Sequence, residues 1–305
     1  MPAAEPIPSQ PSSNSETMAD FDAVIDRLHA LLARAERLLP PAPPDEPDWQ
    51  APAYRWRVRN GHGYLEPVHQ PHRVPTQNLL HIDDQKDQLV RNTAQFVRGL
   101  PANNALLWGS RGTGKSSLIK ALLSDFEAEG LRLVEVEPAH LIDLPDIVAK
   151  LRDRPERFIL FCDDLSFEAG DASYKALKAV LDGSVEAPPD NVVIYATSNR
   201  RHLMPEYHAE NDQARPVDGE IHHGEAVEEK ISLSERFGLW LSFQPFRQDD
   251  YLAVCERWLD ALGADTSDWE ALRADALRYA LQRGSRSGRV AWQFARDVAG
   301  RQGLQ

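Results

Sequence analysis

The residues best suited to chemistry stand together at 109–117, in the run GSRGTGKSS. It matches G-x-x-x-x-G-K-[ST] at every fixed position. Gly109, Gly112 and Gly114 let the backbone curl so that its N–H groups face the phosphates of a nucleotide. Lys115 supplies a point charge to the β- and γ-phosphates, and the Ser116 hydroxyl is a ligand for Mg²⁺. Thr113 and Ser117 complete the loop's nucleotide-binding set. ALLW at 105–108 precedes the loop as a strand, and SSLIKALLSDFEAEG follows as a helix whose N-terminus favours anions. A chance glycine turn requires neither neighbour. The run therefore points to ATP bound with Mg²⁺.

A second constellation follows at ordinary distance. FILFCDD, 158–164, is an apolar strand ending in two aspartates. In phosphate-loop enzymes an acid at this point holds the Mg²⁺ shell, a role that suits Asp163. A second acid beside it orients and deprotonates the attacking water, which suits Asp164. Aspartate reaches one methylene less far than glutamate, so Glu168 stands as a rival base. Cys162 reads as a small apolar residue buried in the strand.

Such groups need a scaffold. From about residue 76, apolar runs alternate with amphipathic helical patterns: ALLW, LRLVEV (131–136), FILFC (158–162), VVIYA (192–196) and LWLSF (239–243). The first, third and fourth are nearly continuous in apolar residues, as strands covered on both faces are. A parallel α/β sheet is expected over 76–247. After Pro245 the strand patterns stop, and 248–305 reads as a smaller, all-helical lid. Residues 1–18 hold little to bury and are expected to be disordered. Over 19–75 an N-terminal helix precedes a Pro-rich extended arm and a hairpin turning at Asn60-Gly61-His62. The helix carries Phe21, Ile25, Leu28, Leu32, Ala35 and Leu39 in steps of four and three, a stripe under three heptads long. Packing on the body of the chain suits so short a stripe better than an independent coiled coil.

Composition sets the outer limits. Lys+Arg number 34 and Asp+Glu 47, so the net charge of −13 excludes a surface built throughout to hold nucleic acid. No apolar run approaches the length of a membrane span, and no signal peptide is visible. With only two cysteines, Cys162 and Cys255, there is no disulfide framework, and a cytoplasmic setting is expected.

The order of motifs resembles the AAA+ ATPases: phosphate loop, acidic strand end, VVIYATSNRR, SLSERFGLWLSF, and a helical tail containing SGR. The wording of WGSRGTGKSS, FILFCDDLSFE, YATSNRRHLMPE, EEKISLSERFGLWLSF and RSGRVAWQF closely resembles the bacterial DUF815 family of AAA+ proteins, over about residues 54–300. The resemblance implies an ATPase without fixing a biological role. LLHIDDQKDQLVRNTAQF is similar to the family's entry segment, where Ile82 would touch adenine. Asn199 matches the polar sensor residue, with Thr197 and Ser198 as close rivals. Arg236 matches the arginine finger, which reaches the nucleotide of a neighbouring subunit and implies a homo-oligomer. Arg289 matches the lid arginine, with Arg286 a rival.

The chain also departs from the pattern. Most AAA+ proteins have Glu where Asp164 stands, which bears on the hydrolysis rate. EPAHLIDLPDI, 137–147, lacks the aromatic and glycine of a substrate-threading loop. Residues 205–230 form an acidic insert that reads as a mobile loop. His62, His69, His72, His81, His222 and His223 lack acid or thiol partners at ligand spacing, so no zinc site is expected. Arginines at 283, 286, 289, 296 and 301 can meet nucleic acid backbone, although nucleotide phosphates and internal ion pairs suit them better. The leading expectation is an ATPase that remodels an unknown protein or nucleic-acid client. The alternatives are a nucleotide-gated switch that hydrolyses slowly or not at all, and a loader- or initiator-type protein associated with nucleic acid.

Overall fold

The computed structural model describes residues 24–32, 34, 46–167, 171–183, 188–200, 203, 215–217, 220–222 and 233–303. The chain divides into two compact units, Met1–Asp45 and Glu46–Gln305. In the first, 24–32 and 34 are helical, and Val24, Ile25, Leu28, Leu31 and Leu32 are exposed. Residues 1–18 and three positions of the apolar stripe, Phe21, Ala35 and Leu39, lie outside the described residues.

The second unit is built on a seven-stranded sheet. Its strands are β1 (Ala53–Arg59), β2 (His62–Val68), β3 (Ala105–Gly109), β4 (Leu131–Val136), β5 (Arg157–Cys162), β6 (Val192–Ser198) and β9 (Leu239–Phe243), in the order β2-β1-β4-β5-β6-β3-β9. All neighbours are parallel except β1 and β2. Side chains alternate across the pleat, so Phe158, Leu160 and Cys162 of β5 join one core while Ile159 and Phe161 join the other. Helices α1 (Asp83–Val97) and α2 (Lys115–Phe126) cover one face through Leu89, Phe96, Leu118 and Leu122. Helices α3 (Leu144–Leu151) and α4 (Ala172–Asp182) cover the other through Ile147, Leu151, Tyr174 and Leu177. This is the parallel-sheet α/β phosphate-loop fold expected from the sequence.

The sequence groups the hairpin with the N-terminal arm, outside the 76–247 domain. In the structure β1 pairs parallel with β4, Tyr54 opposite Val134, so the hairpin extends the main sheet. Asn60 and Gly61 both have positive φ, 52° and 76°, as a two-residue hairpin turn requires. Within the acidic insert the described residues form a two-stranded antiparallel ribbon, β7 (Arg215–Val217) and β8 (Glu220–His222). The remainder of 205–230, and Glu168, lie outside the described residues.

Three helices follow the sheet: α5 (Gln248–Ala261), α6 (Trp269–Arg283) and α7 (Gly288–Gln302). They share a separate core that includes Tyr251, Cys255, Ala276 and Phe294. The strand order sets the site. β3 lies between β6 and β9, and β6 lies beside β5, so the loops leaving β3, β5 and β6 open on one edge of the sheet. Open parallel sheets bind ligands at the carboxyl ends of such strands.

Candidate functional site

The phosphate loop leaves β3 through Gly109, where φ is 129° and an added Cβ would sit 2.1 Å from the Phe243 carbonyl oxygen. Ser110 N–H donates to that same carbonyl at 3.1 Å. The loop ends at Gly114, φ 99°, which opens α2 without any side-chain cap. Among the described residues no side chain caps its first N–H groups. Thr113 is buried, and its hydroxyl closes the loop on the Ser110 carbonyl at 2.8 Å.

Lys115 is only 6% exposed. Its Nζ donates to the carbonyls of Gly109 and Ser110, both at 2.8 Å, and to Asn199 Oδ1 at 3.3 Å. An ammonium with three donors thus meets three neutral oxygens and no carboxylate at bonding distance. Burial holds its pKa below the ordinary lysine value, against the opposing charges of Asp164 and Asp163.

The facing wall is tied together by short bonds. Ser116 Oγ and Thr197 Oγ1 both donate to Asp163 Oδ1 at 2.6 Å. Asp164 N–H donates to Thr197 Oγ1 at 2.9 Å, and Asn199 Nδ2 donates to Asp164 Oδ1. Asn199 therefore bridges the loop lysine and the second acid. Asp164 has φ 54°, a left-handed backbone that Asp and Asn adopt more readily than other side chains with a Cβ. That conformation is a local reason for aspartate at this position. Ser198 points elsewhere, donating to the Leu165 carbonyl at 2.9 Å. Cys162 is fully buried, and burial pushes its thiol up to about 12, so it fills space in the core.

These walls enclose a cleft of about 650 Å³. Gly112, Thr113, Gly114, Lys115, Ser116, Ser117, Asp163, Asp164, Thr197 and Asn199 line its polar end. Ile82 and Arg289 line it as well, whereas Arg286 and Arg236 do not. Arg236 instead forms an ion pair with Asp182 at the end of α4. The other end of the cleft was not read from the sequence. It is apolar, with Leu80, Phe246, Val254, Trp258 and Trp292 among its lining residues. The rings of Trp258 and Trp292 meet edge to face, 4.6 Å between centroids. Arg111, at a variable position of the loop motif, also lines the cleft.

The lid touches the loop directly. Gly288 N–H donates to the Gly112 carbonyl at 2.8 Å, and an added Cβ at Gly112 would sit 2.8 Å from Ser287 Oγ. Ser287 caps α7 by accepting from Val290 N–H at 3.3 Å, which sets Arg289 in the helix's first turn at the cleft. The residues fit a magnesium-bound nucleoside triphosphate. The uncapped helix end and an ammonium bonded to neutral oxygens suit phosphate, and the hard oxygens of Ser116 and Asp163 suit Mg²⁺. Among the described residues no helix is long and apolar enough to cross a membrane.

Residues 49–302 match the family described as Protein of unknown function (DUF815), and the chain belongs to it. No curated protein matches the sequence. Among solved structures, the chain is similar to the Holliday junction branch migration motor RuvB of Thermotoga maritima, with 16% identity and a TM-score of 0.45 over 70% of this chain and 60% of that one. It is also similar to Aeropyrum pernix Orc1 in complex with DNA, with 17% identity and a TM-score of 0.46 over 74% of this chain and 60% of that one. The chain thus spans about 60% of the length of these two.

Proposed function

We propose that this DUF815 chain binds ATP with Mg²⁺ in the cleft and hydrolyses it. One observation carries the reading. A buried lysine bonded only to neutral oxygens faces two acids that are held in place by Ser116, Thr197 and Asn199. Lys115, the α2 N-terminus and Arg289 would receive the phosphates, and the apolar end with Ile82 would receive the base. Ser116 and Asp163 would hold Mg²⁺, which when bound draws charge from the phosphate oxygens. Asp164 would act as general base, and the Asn199 amide, which donates to its carboxylate, would steady it beside the cleft that both residues line. Steady-state phosphate release with wild type and Asp164→Asn tests the reading. Turnover that survives this substitution would overturn Asp164 as the base.

Arg236 lies away from the cleft of its own chain, which supports action across a subunit interface and hence a homo-oligomer. Coupling to a macromolecular client remains part of the proposal. A second reading, a slow nucleotide-gated switch, is favoured by the short reach of Asp164 and by the Arg236–Asp182 pair, which must open before the finger can extend. The lid arginines give less support to a nucleic-acid role. Arg301 pairs with Asp297 at 3.0 Å, and Arg283 and Arg296 lie over the rings of Tyr279 and Trp292.

A further inference from the structure

The fixed positions of the loop motif do not account for every cation in the cleft. Arg111 occupies one of the four variable positions, is exposed, and lines the cleft together with Lys115 and Arg289. Neither the Arg111 nor the Arg289 side chain has a hydrogen bond or ion pair among the described residues, whereas many of the chain's other arginines do. Both arginine charges act on Lys115, adding to burial in disfavouring its protonated form. Asp163 and Asp164 offset part of that repulsion at Lys115, but neither guanidinium bonds them, so an anion bound in the cleft would lower the electrostatic cost of both arginines.

Position along the loop narrows the role. Lys115 Nζ bonds the carbonyls of Gly109 and Ser110, so the backbone immediately before Arg111 lies against the tip of the ammonium. In this motif that tip meets the outer phosphates. A guanidinium is always charged and donates in a planar fork that matches phosphate oxygens. We propose that Arg111 contacts the terminal phosphate of the nucleotide bound by its own subunit, and so makes the cleft discriminate triphosphate from diphosphate. The proposal rests on the nucleotide-binding reading above and goes beyond it, because Arg236 is not among the residues that line its own cleft.

Calorimetric titration of the full chain with Mg·ATP and with Mg·ADP tests it, on wild type, Arg111→Ala and Arg111→Lys. Arg111→Ala should lose on the order of tenfold in ATP affinity while ADP affinity changes little, as deletion of one charge-assisted contact to a single phosphate implies. Arg111→Lys should recover part of the loss, and all three proteins should melt alike. Mixing Arg111→Ala with Lys115→Ala subunits should not raise the ATP affinity of the Arg111→Ala pockets, because the missing guanidinium belongs to the same subunit as the pocket. An unchanged ratio of ATP to ADP affinity in Arg111→Ala overturns the proposal, as does recovery in the mixture, which would place the contact in trans. Wild type binding neither nucleotide would overturn the site reading along with it.

Discussion

Asn199 and Arg236 enter the sequence reading on equal footing, each matched to a polar group of a known motif, yet the structure treats them differently. Asn199 sits in the cleft, bonded to Lys115 and to Asp164. Arg236 stands outside it, paired with Asp182 from a different segment. The difference separates two kinds of work. Groups held together at the strand ends can bind and orient within one chain. A group at the outer edge can serve a nucleotide only if another copy brings its own cleft to it.

The sharpest way to break that comparison is Arg236→Ala. It should keep the fold and ATP affinity but lose about 10³-fold in turnover, the scale of arginine fingers in related chemistry. Specific activity of the wild type should rise with protein concentration. Mixing Arg236→Ala with Lys115→Ala subunits should restore part of the rate, since one contributes an intact cleft and the other an intact arginine. A dead mixture beside a fully active monomeric wild type would return Arg236 to a structural role. Asp182→Asn sharpens the point: with the cis pair removed, the finger extends more readily, and the assembled enzyme should not slow.

On the cleft side, Lys115→Ala should weaken ATP binding about 100-fold or more, measured by calorimetry, because the phosphates lose their buried cation. Asp163→Asn should instead raise the Mg²⁺ concentration needed for half-maximal turnover. It leaves Lys115 intact and weakens only the oxygen shared by Ser116 and Thr197.

What was legible in the sequence follows the same division. GSRGTGKSS and FILFCDD carry their chemistry in contiguous residues, and the strands that precede them are apolar enough to be read directly. The pairing of β1 with β4 was not legible, since a parallel contact between Tyr54 and Val134 leaves no local mark. Nor was the choice among Thr197, Ser198 and Asn199. Thr197 and Asn199 both line the cleft while Ser198 turns to the Leu165 carbonyl, and only the fold shows that Thr197 bonds Asp163 whereas Asn199 bonds Lys115 and Asp164. The apolar end was the least legible. Leu80, Phe246, Trp258 and Trp292 come from the entry segment, the strand-to-lid connection and two lid helices, and read singly each resembles ordinary core.

Two substitutions probe the loop–lid contact and the apolar end at smaller scale. Gly112→Ala meets Ser287 Oγ at 2.8 Å at a position with φ 74°, so it should push the lid from the loop and weaken ATP binding roughly tenfold. Its effect should exceed that of the same change at Gly130, where φ is 91° but an added Cβ meets nothing within 4 Å, so that backbone strain alone is tested.

Trp292→Ala should act on affinity alone. Trp292 lines the cleft one helical turn beyond Arg289, with its ring edge to face against Trp258. An aromatic ring against a base contributes roughly 1–3 kcal/mol, so affinity should fall about tenfold for ATP and for ADP alike. The equal loss is the informative part. It should leave the turnover of saturated enzyme almost unchanged, because no group at Asp164 or Asn199 moves. A large fall in the saturated rate would mean that the lid positions the chemical groups as well as the base, and the boundary between binding within the chain and chemistry across the interface would have to be redrawn.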